Sequence, residues 1–93
     1  MKLPTDILDR LTHDYGEEAA EKLSKKLCDV SSSDRVHRCI VFAAGGDRLR
    51  FEELCELAAL DYRDVIVAAE YNTALVRLYD FNRTFDNAEL DPP

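Results

Sequence analysis

The stretch Asp61-Tyr62-Arg63-Asp64-Val65-Ile66-Val67-Ala68-Ala69-Glu70-Tyr71 decides how the chain folds. Val65-Ile66-Val67 alone reads almost as well as a buried strand. The Ala68-Ala69 continuation favours helix, because alanine is the best helix former and a poor strand former. Asp61 supplies an N-cap, and Asp64 puts negative charge in the first turn, where the helix dipole favours it. The segment is therefore read as a helix over 62–71. Its unbroken apolar run from Val65 to Ala69 predicts burial on most sides, which makes it the expected central helix.

Upstream, the apolar residues recur at helical spacing between short interruptions. Asp47 caps a helix reaching about Ala59, with Leu49, Leu54, Leu57 and Ala58 inward and Arg50, Glu53 and Glu56 outward. Gly45-Gly46 ends the preceding helix, because glycine readily takes the left-handed conformation of a helix C-terminus. That helix opens at Ser33 or Asp34 and buries Val36, Cys39, Ile40 and Ala43. The first helix starts at Thr5, after Pro4, and buries Ile7, Leu8 and Leu11. Asp14, with Glu17 three residues on, offers the cap of a second helix carrying Ala19, Ala20, Leu23 and Leu27. A continuous helix through Gly16 would keep the four-residue step of Leu11, Tyr15, Ala19 and Leu23. Glycine inside a helix costs about 1 kcal/mol against alanine, so two helices are preferred.

Downstream the pattern weakens. Thr73 caps a short sixth helix in one reading; in the other, Asn72 to Phe85 is an extended strap laying Leu75, Leu78, Phe81 and Phe85 across the bundle. Residues 86–93 are acidic, end in Pro92-Pro93 and are expected to fray. The expectation is an all-α fold: an irregular bundle of five short helices, or six, with an extended or weakly helical C-terminal tail. Residues 1–85 form the single helical domain and 86–93 the frayed tail.

Composition agrees. Ninety-three residues hold one core, and a 46% hydrophobic, 33% charged chain with three Gly, three Pro and no Trp lacks the turn residues of an all-β fold. No apolar run approaches the ~20 residues of a membrane span, and Met1 to Arg10 reaches charge too early for a signal-peptide core. Cys28, Cys39 and Cys55 are an odd number without paired spacing, which points to a reducing, cytoplasmic setting. The formal charge of −7 is uneven. Residues 1–46 carry seven Lys/Arg against eight Asp/Glu, whereas residues 47–93 carry five against eleven.

That asymmetry bears on function. Residues 34–71 have the helix count and size of a helix-turn-helix unit, which would make the protein a DNA-binding regulator. The presumed recognition helix offers one Arg, Arg63, flanked by carboxylates, on the acidic half of the chain. A base-reading helix needs exposed Arg, Lys, Asn or Gln on a basic surface, so nucleic acid is disfavoured.

Catalytic and metal chemistry find little support. His37 and Cys39 lie two apart, about 200° around a helix, and cannot share an ion; Cys39 and Cys55 read as small core residues and His37 as solvated. Cys28, at a helix C-terminus, meets negative potential that opposes a reactive thiolate. Glu52, Glu53 and Glu56, and Asp61 with Asp64, read as solvated faces and caps. No phosphate-binding or nucleophile-elbow motif is present. The sequence thus predicts no enzyme activity, no metal and no cofactor, with a small-molecule or metal-binding protein as a secondary alternative.

Two surfaces stand out for contact with a protein partner or a second copy of the chain. Tyr79, Phe81, Arg83 and Phe85 combine aromatics with Arg, as interface anchors do. Arg35, Arg38, Arg48 and Arg50 flank Gly45-Gly46 and form a basic patch if their helices make an antiparallel hairpin; intramolecular pairing with Asp47, Glu52 and Glu53 is the alternative. The function expected is a non-enzymatic protein–protein interaction or regulatory module.

Overall fold

The computed structural model describes residues 3–90. Five α-helices follow one another: α1 Thr5–Tyr15, α2 Glu17–Val30, α3 Asp34–Ala44, α4 Arg48–Leu60 and α5 Tyr62–Glu70. A single 3-10 turn, Phe85–Asn87, follows later, and the described residues form no strand beyond two isolated antiparallel bridges. The all-α bundle expected from the sequence is the fold observed.

Local chemistry sets most helix boundaries. Ser33 Oγ accepts from Val36 N at 3.3 Å, and Asp47 Oδ1 accepts from Leu49 N and Arg50 N at 3.0 and 3.2 Å. Asp61 Oδ1 accepts from Arg63 N at 3.0 Å, and Gly45 closes α3 at φ 56°, ψ 32°. Each satisfies backbone groups that the helix itself leaves unpaired. The first two helices are separate, as preferred, but Asp14 does not cap the second. Gly16 sits at φ 87°, ψ 163°, where side-chain-bearing residues are disfavoured. Its N–H donates to Thr12 O and its carbonyl accepts from Ala20 N, both at 2.9 Å, so one residue ends α1 and opens α2. Asp14 instead takes Arg10 Nε at 3.2 Å. Thr5 is the first helical residue, and Pro4, with its preset φ, occupies the cap position.

The centre of the bundle is α3, not α5. It packs against α1, α4 and α5 and buries Val36, His37, Arg38, Cys39, Ile40, Val41 and Ala44. α5 packs on α3 and α4 and buries only Val65, Ala69 and Glu70, leaving Val67 44% exposed. Its apolar run is wider than the face its neighbours cover. In α4, Leu49, expected inward, is 66% exposed, and Phe51, which the expectation left unassigned, is fully buried. His37, expected in solvent, is fully buried, with Nε2 at 2.9 Å from Leu27 O and 2.6 Å from Ser31 O. It closes the end of α2, where carbonyls lack intrahelical partners.

After α5 the described residues form no sixth α-helix. The chain reverses at once, with Tyr71 bridged to Arg77, and then runs across the bundle as a strap. Phe81 and Ala88 are each 1% exposed and join the core, whereas Leu75 and Leu78 point outward, contrary to the strap reading. The expected fraying of 86–93 does not hold for residues 86–90. Tyr79 bridges Glu89, Asp80 N donates to Ala88 O at 2.7 Å, and Leu90 N donates to Leu78 O at 3.0 Å. The remainder of that stretch, 91–93, lies outside the described residues.

Candidate functional site

Two carboxylates, one buried and one half-buried, hold the strap to the bundle, and the arginines of α3 hold the carboxylates. Glu70, the last residue of α5, is fully buried. Arg35 approaches it as a fork, Nε to Oε2 at 2.8 Å and Nη2 to Oε1 at 2.7 Å. Arg77 reaches Oε1 from the strap, with Nε at 3.0 Å and Nη2 at 2.8 Å. Phe81 N donates to Oε2 at 3.2 Å, and the Cys39 thiol lies 3.7 Å from the same oxygen. Burial pushes the Glu70 carboxyl up, but the hydrogen bonds from Arg35 and Phe81 and the charges of Arg35 and Arg77 outweigh it. The net effect holds Glu70 below its ordinary value and ionised.

The second clamp repeats the design one helical turn along. Arg38 donates Nε to Asp6 Oδ2 at 2.8 Å and Nη2 to Oδ1 at 3.0 Å, while its Nη1 reaches Phe81 O at 3.2 Å. Phe85 N donates to Asp6 Oδ2 at 3.1 Å. Burial again works against the carboxylate, and Arg38 with the Phe85 amide reverses it, so the Asp6 pKa is lowered. Phe81 therefore has its N–H fixed by Glu70 and its carbonyl by Arg38. Around it Phe42, Tyr79 and Phe85 pack at ring-centroid distances of 5.0, 5.4 and 5.7 Å, and the Arg10 guanidinium lies 5.3 Å from the Phe85 ring centre.

These contacts dissolve both surfaces expected from the sequence. Arg35 and Arg38 are committed to Glu70 and Asp6, and Arg38 is only 5% exposed, so it belongs to no surface patch. Arg50 lies 3.5 Å from Glu53 rather than joining them, and Arg48 is exposed at the start of α4. In the tail, Phe81 is core, Tyr79 and Phe85 are half-buried, and only Arg83 is exposed, 3.6 Å from Asp80. Arg63 of the helix-turn-helix reading turns its fork to Asp61, at 3.0 Å for both bonds.

An uncovered aliphatic group lies at the first turn of the strap. Asn72 Oδ1 accepts from Ala74 N at 2.9 Å and Val76 N at 3.0 Å, while Asn72 N donates to Val76 O at 3.0 Å. These bonds hold Leu75 at φ 60°, an uncommon conformation for a non-glycine residue, with 71% of its surface in water. Val76 and Leu78 beside it are 49% and 43% exposed. The sequence signal for this tip is Asn72, whose side chain favours such turns.

A groove of about 400 Å³ opens on another face, between the α2–α3 connection, α4, α5 and the strap. Val30, Val36, Ala58, Tyr62 and Ile66 form its apolar walls, and Ser31, Ser33, Arg35 and Asn82 its polar ones. Among the described residues no group of three His, Cys, Asp or Glu is placed to hold a metal ion, and no helix is long and apolar enough to cross a membrane. No family model matches the chain, and the comparisons with curated proteins and with solved structures found no match.

Proposed function

We propose that the protein is a non-enzymatic protein–protein interaction module of the cytoplasm, and that the Leu75 tip is its contact surface. The observation that carries this reading is a strained, well-bonded turn that displays an aliphatic side chain to solvent. Backbone strain of this kind costs about 1–3 kcal/mol and persists where function uses it. Leu75, Val76 and Leu78 give the apolar centre of a contact. The partner is a different protein carrying basic groups. Residues 47–93 hold eleven acidic against five basic side chains, which attracts cations and makes two copies of the chain repel. Cys28, Cys39 and Cys55, an odd number without paired spacing, support a reducing compartment.

The test uses wild-type protein and a Leu75→Ser/Val76→Ser variant as paired baits in a lysate of the source cell, after confirming equal melting temperatures. A polypeptide retained by the first and lost by the second supports the reading. Equal capture by both, or capture of nucleic acid alone, overturns it.

A further inference from the structure

We propose that the groove beside α3 binds a small monocarboxylate with an aliphatic or aromatic body. The argument rests on the inventory of donors inside it. Arg35 lines the groove with 28% of its side chain exposed, and its Nε and Nη2 are spent on Glu70. The Nη1 of the fork keeps two donor hydrogens, held in place by the other bonds. Ser33 Oγ accepts from Val36 N and retains its own hydroxyl hydrogen as a donor. Among the described residues no acidic side chain lines the groove. Arg35 is the one charged side chain among the described lining residues, and its partner Glu70 is shared with Arg77.

The remaining walls, Val36, Ala58, Tyr62 and Ile66, are apolar, and Tyr62 is 54% exposed. A volume of about 400 Å³ lies in the range of small-ligand sites, which pair apolar walls with a few placed polar groups. A carboxylate accepts from Arg35 Nη1 and the Ser33 hydroxyl, and its hydrocarbon body covers the aliphatic wall. An ammonium head in the same place would meet the positive charge of Arg35.

Amide-resolved NMR titration of the full chain tests this, with octanoate and 3-phenylpropionate as probes and octylamine and 3-phenylpropionamide as controls. Both carboxylates should give saturable shifts at Ser33, Arg35, Val36 and Ile66, at least about tenfold tighter than either control. Ala58→Met fills the groove from α4 without touching the guanidinium, and should weaken carboxylate binding about tenfold or more. Arg35→Lys keeps a charge on Glu70 but removes the free fork nitrogen, and should lower affinity for the carboxylates while leaving the controls unchanged. Absence of saturable shifts, equal response to amine and acid, or unaltered binding in a folded Ala58→Met protein would each overturn the assignment.

Discussion

Arg35 near the start of α3 and Glu70 at the end of α5 meet in a two-bonded fork of 2.7 and 2.8 Å, 35 residues apart in the chain. The same carboxylate takes Arg77 and the Phe81 amide, so it joins the central helix to the last helix and the strap. Replacing it with a neutral isostere leaves two guanidinium groups short of a counter-charge. Arg35 and Arg77 keep 28% and 33% of their side chains exposed, so water recovers part of the loss. Glu70→Gln is expected to cost about 2–4 kcal/mol, below the upper range for wholly buried pairs. Denaturant unfolding with unchanged slope measures it.

Acid should loosen the same contacts. The folded-state pKa values of Glu70 and Asp6 lie below the ordinary 4.5 and 3.8, because Arg35 and Arg38 outweigh the burial that opposes ionisation. Over that range the unfolded chain binds more protons than the folded one, so stability falls as pH falls. The contribution is complete above the ordinary values and is lost as pH drops through the depressed ones. Melting temperature followed from about pH 6 to about pH 2 should decline for wild type, and decline less steeply for Glu70→Gln.

The two clamps should be separable by amide exchange. Asp6→Asn weakens the hold on Arg38 and on Phe85 N, at a cost of about 1–3 kcal/mol. Phe85 N should then exchange faster than the loss of global stability alone accounts for. Glu70→Gln should show its largest local effect at Phe81 N. Uniform acceleration in both variants would mean that the strap and bundle open as one unit.

Leu75→Gly should stabilise the protein while removing its proposed contact. A left-handed conformation costs a non-glycine residue about 1–2 kcal/mol, and glycine gives back about 0.5–1 kcal/mol in lost chain entropy. The expected gain is about 0.5–1 kcal/mol, read from a higher denaturant midpoint.

Cys39 and Cys55 should resist alkylation in the folded protein. Burial pushes the Cys39 thiol far up, with the Glu70 charge adding to it, and pushes Cys55 up to about 11. Few thiolates are present at neutral pH, and both sulfurs are buried. Mass spectrometry after brief iodoacetamide treatment should find both unmodified, and denaturant should expose both.

The helix boundaries were legible because their causes are local. Ser33, Asp47, Asp61 and Gly45 act on backbone groups within four residues. The centre of the bundle was not. α3 carries an apolar run from Cys39 to Ala44, longer than that of α5, but it opens with Arg35, His37 and Arg38. These read as a solvated face, and no periodicity reveals the partners of His37 and Arg38, which are Leu27, Ser31 and Asp6. α4 offers apolar residues on several faces, so Leu49 and Phe51 compete without a local cue. The charge of Arg35 and Arg38 was visible as a cluster, but its internal neutralisation depends on carboxylates 35 and 32 residues away. The displayed Leu75 depends on a backbone angle, which sequence spacing does not carry.

The pairing of Asp6 with the Phe85 amide also orders events during synthesis. A growing chain can assemble α1 to α5 as they emerge, N-terminal parts first. Arg35, Arg38, Asp6 and Glu70 then stand as exposed charged groups beside an unfilled aromatic slot until Phe81 and Phe85 leave the ribosome. Without Phe81 the ring of Phe42 loses the partner that lies 5.0 Å away, and the core loses a side chain that is 1% exposed. The covering of the α3 face thus depends on residues 71–90 as much as on the helices themselves.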